Sequence, residues 1–152
     1  MNSHWLYNNE IINEIPEGMF GFVYRITNLE SGRKYIGRKY LTSTTKKPLA
    51  KLQKTLGKKR RTSVTKESNW REYTGSNKPL NEDIKKLGKD KFKFEILFFG
   101  ETAAHVNYME MYCQYKDHVI LTDEYYNEAI GSNKYSNISK KIELLNELRK
   151  NL

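Results

Sequence analysis

The chain has 152 residues, 38% of them apolar and 30% charged, with a net charge of +9. That length suits one domain with its own core, and eleven tyrosines with six phenylalanines exclude wholesale disorder. No apolar run approaches the ~18 residues of a membrane span, and the single cysteine, Cys113, excludes an internal disulfide and a thiolate zinc cluster.

The charge is concentrated. Residues 33–71 hold 14 Lys or Arg and one acid, Glu67, whereas the rest of the chain holds 13 basic and 17 acidic residues. Such a block attracts a polyanion and steers its approach, which implies nucleic acid. A solvated basic loop without a partner is the plainer alternative. An anionic membrane fits less well, because the block lacks an aromatic-anchored amphipathic helix.

Residues 1–18 read as an arm. Trp5, Leu6, Tyr7, Ile11, Ile12 and Ile15 are too apolar for a free tail. A short helix laid against the domain or against a second subunit is expected, and with it a homodimer through the arm. Pro16 and Gly18 end the segment. The first residues show no signal-peptide pattern, so the cytoplasm is the expected compartment. Residues 19–152 read as a single domain with a basic insert at about 42–67.

Residues 20–28 and 34–38 are rich in β-branched and aromatic side chains around Leu29-Glu30-Ser31-Gly32, a β-hairpin pattern. A connecting loop of even length gives the register an odd sum, which puts Tyr24 and Tyr35 on one face; an odd loop separates them. Ordinary core packing is the alternative role for both. Gly37, lacking a side chain inside a strand, implies a bulge or a close approach by another group.

Thr42 to Thr45 then precede a short Lys-rich helix carrying Pro48, Leu49, Leu52 and Leu56, stopped by Gly57. Residues 68–77 are dense in side chains that stack or donate hydrogen bonds, Trp70, Arg71 and Tyr73 among them. Asn77 or Ser76 caps the next helix, with Pro79 in its first turn, Leu80, Ile84 and Leu87 as its stripe and Gly88 as its end. A third strand covers 92–99, with Phe92, Phe94, Ile96 and Phe98 on one face and Glu95, Leu97 and Phe99 on the other. Thr102 caps a long helix whose stripe of Ala104, Tyr108, Met111, Tyr115 and Val119 is expected to face the core, with Glu110 flanking it. Tyr125-Tyr126-Asn127 is extended, and a last helix from 138 turns Ile142, Leu145 and Leu148 inward. The expected class is α/β (α+β): a small, three-stranded, mainly antiparallel sheet flanked by helices.

The three histidines, His4, His105 and His118, are scattered and form no ligand set, and no phosphate-cradling glycine loop is present. A hard divalent ion held by one carboxylate and several waters is compatible with what remains.

Phe22-Val23-Tyr24 followed by Tyr35-Ile36-Gly37 resembles the paired motif of the GIY-YIG nuclease superfamily, with Phe22 standing where the first glycine belongs and Gly21 just before it. Trp70-Arg71-Glu72-Tyr73-Thr74-Gly75-Ser76 is similar to a stretch of phage and homing-type members, and residues 92–97 to their third strand. Glu110 falls in the long helix where the family keeps its metal-binding glutamate, and Asn127 matches its late asparagine. The likeness covers about 20–131.

The resemblance implies a homing-type, phage-type or restriction-type endonuclease that cuts double-stranded DNA, in the cytoplasm of a bacterial host. It implies one Mg²⁺ or Mn²⁺ on Glu110, Tyr24 or Tyr35 as or beside the general base, and Asn127 as a brace. Free tyrosine ionises near pH 10, so a base role needs cations nearby. The family's arginine after its second motif is missing from 42–47. Arg71 is the preferred replacement as phosphate clamp and Arg38 the next, while Lys39 is placed to lower a tyrosine pKa and Tyr73 is a further site candidate. Lys46, Lys47, Lys51, Lys54, Lys58, Lys59, Arg60, Arg61 and Lys66 would follow DNA phosphates, with Trp70 beside them. A DNA-binding module of the same fold without catalysis is the runner-up, and an interaction protein with solubilising lysines the third reading.

Overall fold

A computed structural model describes residues 2–46, 50–57 and 63–151. The arm forms two short strands, β1 (Leu6–Tyr7) and β2 (Glu10–Ile11), joined by Asn8 and Asn9. Both asparagines have positive φ, 51° and 66°, as a tight hairpin turn demands and as Asn tolerates best after glycine. Then come β3 (Gly21–Asn28), β4 (Lys34–Tyr40), β5 (Thr42–Lys46), α1 (Lys51–Thr55) and β6 (Ser63–Glu67). A 3₁₀ turn at Trp70–Glu72 leads to α2 (Lys78–Leu87), and a second at Lys89–Lys91 leads to β7 (Phe92–Gly100). α3 (Ala103–Lys116) and α4 (Ile138–Asn151) complete the chain.

The main sheet runs β2-β1-β7-β3-β4. β3 is antiparallel to both β4 and β7, which is the expected three-stranded core, and β1 joins β7 in parallel. The class is therefore α+β, but the sheet has five strands, and a separate two-stranded ribbon, β5–β6, stands beside it. No helix among the described residues is long and apolar enough to cross a membrane.

Four expectations are corrected. The arm is not helical, and its apolar residues are taken up within the chain: Trp5 is 0% exposed and packs on Phe22, Tyr24 and Phe94. The reason for seeking a second subunit there is thus met inside one chain. The insert holds the expected helix only in part, and the hydroxyl residues before it are strand, not cap. Its β-branched hydroxyl residues Thr42, Thr44 and Thr45 pair as strand with Glu67, Thr65 and Val64, as their strand preference favours. Among the described residues of the insert, Lys51–Thr55 alone is helical, and Leu56 is exposed; Pro48 and Leu49 lie outside them. In β7, a bulge opposite Val23 and Tyr24 shifts the alternation after Ile96. Phe98 is consequently exposed, and Phe99 joins Phe22 and Tyr7.

The fourth correction is the orientation of α3. Its buried side is Val106, Glu110, Cys113 and Gln114, whereas Tyr108, Met111 and Tyr115 are exposed. This helix is apolar on more than one side, so spacing allowed two stripes. The carboxylate disguised the one that packs. Similarly, Ile142 of α4 is exposed while Leu145 is buried. The caps form as expected: Thr102 accepts from the His105 amide at 3.1 Å, and Asn77 from that of Leu80 at 2.9 Å.

The sheet has a core on each face. Trp5, Phe22, Tyr24, Ile26, Phe94 and Ile96 meet Trp70, Leu80 and Ile84 on one side. Val23 and Ile36 meet Val106, Cys113 and Val119 on the α3 side.

Candidate active site

The site starts from the register of one hairpin. Asn28 folds the loop 29–32, its Oδ1 accepting from the amides of Glu30 (3.0 Å) and Ser31 (3.2 Å). Four residues is an even loop, so Tyr24 pairs with Gly37 and Ile26 with Tyr35. Tyr24 and Tyr35 therefore share a face, with ring centroids 6.2 Å apart. Gly37 is the close approach its sequence position implied. A Cβ there would lie 2.5 Å from the Tyr24 Oη and 2.9 Å from the Tyr35 ring, so only glycine lets the Tyr24 hydroxyl cross the strand.

Tyr73 closes the group, with its ring 6.1 Å from that of Tyr24 and a hydrogen bond between the two side chains. Lys39 sets its Nζ 4.0 Å from the centre of the Tyr73 ring. Tyr35 is hydrogen-bonded to Ser76. Burial, with Tyr35, Tyr73 and Glu110 adding to it, pushes the Tyr24 phenol far above its ordinary range. Burial also raises Tyr35, against the opposing effects of Ser76 and Arg38. Burial lowers the Lys39 ammonium. Tyr24 and Tyr35 are thus held as neutral hydroxyls.

β4 is the outer strand of its sheet, and alternation turns Arg38 to the α3 side. There it donates from Nη1 to the Glu110 Oε1 at 2.7 Å. Glu110 is 9% exposed. Burial raises its carboxyl, and the Arg38 guanidinium pulls the other way. Its charge in turn acts on both Tyr24 and Tyr35. The phenols lie on one face of β4 and the Arg38–Glu110 pair on the other, with the carboxylate acting on the phenols through its charge.

The same strand is braced from outside. Asn127 accepts from the Ile36 amide at 3.0 Å and donates to its carbonyl at 2.8 Å, acting as a short surrogate strand. Gln114, one helical turn past Glu110, donates to that carbonyl at 3.0 Å. Sequence reasoning passed over Gln114 and Ser76. The signal for Gln114 was its i+4 spacing from Glu110.

Two assignments do not hold in space. Arg71 is ion-paired to Glu67, lies 4.4 Å over the Trp70 ring and donates to the Asn13 carbonyl at 3.4 Å. The arginine beside the acid is Arg38. Trp70 is 2% exposed, and its indole N–H donates to Glu67, so its ring supports the core and meets no outside partner. A groove of about 510 Å³ runs past Arg38, Lys39 and Tyr73 to Thr42, Ser43 and Thr44 of β5. Lys46, Lys51, Lys54 and Lys66 are exposed, while Lys47, Lys58, Lys59, Arg60 and Arg61 lie outside the described residues.

The donor set decides which metal could fit. Among the described residues, no three His, Cys, Asp or Glu side chains gather as a ligand cluster, which rules out an all-protein cage there. Glu110 accepts through Oε1 from Arg38, which lines the groove. One hard oxygen beside a groove suits a divalent ion that retains most of its waters.

A family model described as "Putative endonuclease segE, GIY-YIG domain" matches residues 5–130, so the arm from Trp5 onward belongs to the matched unit. No curated protein and no solved structure matches the chain.

Proposed function

The chain belongs to the GIY-YIG nuclease superfamily, and on that premise we propose that it is a metal-dependent endonuclease hydrolysing phosphodiester bonds of double-stranded DNA. The observation that carries this reading is the Arg38–Glu110 pair at 2.7 Å, with Arg38 lining one groove together with Lys39 and Tyr73. Arg38, whose side chain is 41% exposed, would turn from Glu110 to the phosphoryl oxygens, where an arginine binds two of them at once. Glu110 would hold Mg²⁺ or Mn²⁺, which when bound supplies charge to the phosphoryl and leaving oxygens.

Of the clustered tyrosines Tyr24, Tyr35 and Tyr73, it is Tyr73 that lines the groove. As its phenolate it would take the proton of the attacking water, ending as a neutral phenol, as the water oxygen bonds to phosphorus and the bond to the leaving oxygen breaks, the leaving oxygen then taking a proton from solvent. Tyr24 would hold Tyr73 in place through its hydrogen bond, and the Lys39 ammonium, 4.0 Å from the centre of the Tyr73 ring, would favour the phenolate that precedes the proton transfer. Asn127 and Gln114 fix the strand from which Arg38 projects.

A second reading also has support. Glu110 is buried and already paired, so the same fold could bind DNA without cutting it. Nicking of supercoiled plasmid with Mg²⁺ or Mn²⁺ decides. Cutting by the native chain that Glu110→Ala abolishes supports the endonuclease. Equal cutting by Glu110→Ala sinks it, and binding without any cutting favours the module.

A further inference from the structure

The β5–β6 ribbon enters the chemistry above only where Thr42, Ser43 and Thr44 line the groove. None of its ten residues is buried. A two-stranded ribbon with neither face packed is marginal in water, so a partner would complete it. One face carries the cross-strand pairs Thr42–Glu67, Thr44–Thr65 and Lys46–Ser63, with the hydroxyls of Thr44 and Thr65 3.1 Å apart and the Glu67 carboxylate taken up by Arg71. The Thr44–Thr65 pair shares one hydrogen bond and keeps a second O–H donor and further lone pairs free. Val64 is the ribbon's single apolar residue, so it lacks the aromatic and aliphatic anchors that a protein partner would need. Hydroxyls, methyls and cations on a flat two-stranded strip match the edges of base pairs instead.

We propose that this ribbon enters the major groove of duplex DNA, reads base edges with Thr44 and Thr65, and meets the flanking phosphates with Lys46 and Lys66. The inference rests on the endonuclease reading only in taking DNA as the partner. The dimensions agree. Five residues span about 17 Å, or about five base pairs, and two strands about 4.8 Å apart with their side chains fit a groove of about 12 Å but not one of about 6 Å.

The ribbon also has a fixed relation to the site. β5 begins two residues after Tyr40, on the strand of Arg38. β6 returns through Ser68, whose hydroxyl donates to the Tyr40 carbonyl at 2.6 Å and whose amide donates to that of Leu41 at 2.8 Å. The bases read therefore set the phosphate presented to Glu110, and cutting falls at a constant offset from them.

The test is binding in EDTA, where no cutting intervenes. A 24-base-pair duplex selected from a random pool is compared with a shuffled one. The native chain should prefer the selected duplex at least about tenfold, as one or two read pairs give. Thr44→Val with Thr65→Val keeps the β-branched shape and removes both hydroxyls. It should bring the preference to within about twofold with the salt slope unchanged, whereas Lys46→Gln with Lys66→Gln should lower that slope by about 2. Methyl green in the major groove should displace the protein, and netropsin in the minor groove should not. A pool with no preferred duplex, a preference that survives loss of the hydroxyls, or displacement by netropsin alone overturns the proposal. A chain that binds in this way but never nicks plasmid sinks the endonuclease reading and leaves this one standing. A chain that nicks while Thr44→Val/Thr65→Val keeps full discrimination does the reverse.

Discussion

Around Gly37 each side chain is fixed by several others; along β5–β6 the strands are held mainly by each other. Tyr24 is 1% exposed and touches Trp5, Phe22, Tyr35 and Tyr73, and no ribbon residue is buried. Both regions hang from β4, yet one is a packed interior and the other an uncovered polar strip. Pre-organised groups suit charge development at a phosphate, because they need not reorder as the reaction proceeds. A groove reader instead keeps its hydrogen-bonding groups in water until a partner replaces that water. Substitutions around Gly37 should therefore change cutting or stability and spare DNA affinity, while ribbon substitutions should do the opposite.

The hardest attempt to break this contrast goes through the arm. Trp5→Ala empties the centre of the core beneath Tyr24 and frees the Trp70 carbonyl that its indole N–H meets at 2.6 Å. The expected loss is about 3–5 kcal/mol, read from denaturant unfolding. A dispensable tail would give almost none. Next comes Glu110→Ala, with a fall in cutting of about 10²–10³, the scale of removing one group that stabilises the transition state. DNA affinity should stay within about twofold in EDTA, since Arg38 is then free for phosphate. Loss of binding together with cutting would erase the division between the regions.

Gly37→Ala sharpens the contrast. The added carbon meets the Tyr24 Oη at 2.5 Å and Cζ at 2.7 Å, and Tyr24 is locked among Trp5, Phe22 and Tyr73. Overpacking of this kind costs about 1–3 kcal/mol, and cutting should fall further than stability alone explains. Gly32→Ala, with open space at its Cβ but φ of 78°, is the control for backbone strain without a clash. Plasmid nicking and thermal melting on the same samples separate the two effects.

How far the sequence led differs between the same two regions. The hairpin, the caps at Asn77 and Thr102, and the meeting of Tyr24 with Tyr35 followed from local rules, because alternation and side-chain capping act over a few residues. The arm escaped those rules. Two-residue strands carry too little periodicity to show, and the Asn8-Asn9 turn was the only local sign. The ribbon escaped them because its strands are joined through residues 47–62, a separation at which hydroxyl-rich strands and Lys-rich helix look alike. The bulge in β7 and the orientation of α3 depend on contacts between faces, which spacing along one chain does not contain. The choice between Arg71 and Arg38 was not legible for a related reason: Arg71 pairs with Glu67 and lies over Trp70, while Arg38 pairs with Glu110 from another strand.

The smallest expected effect tests how the arm and the site are tied. His4 packs 4.0 Å from the Phe94 ring, and its Nε2–H donates to the Tyr73 carbonyl at 2.9 Å. Burial, with Lys89 nearby, lowers its pKa from 6.5 to about 4, against the pull of that carbonyl. The folded chain therefore resists a proton that the unfolded chain accepts. Stability from this source is complete above about pH 6.5 and is lost as the pH falls toward 4. Discounted for partial solvent access, the loss is about 1 kcal/mol, or about 2–4 °C in melting temperature. His4→Gln has no such proton to gain, so its melting temperature should fall less than that of the native chain between pH 7 and pH 4.5. Since the bond ends on Tyr73, the native chain's cutting should also decline over that interval more than His4→Gln predicts. Parallel melting curves for the two chains across that range would show instead that His4 adds only packing, and that Tyr73 is held from its own side of the groove.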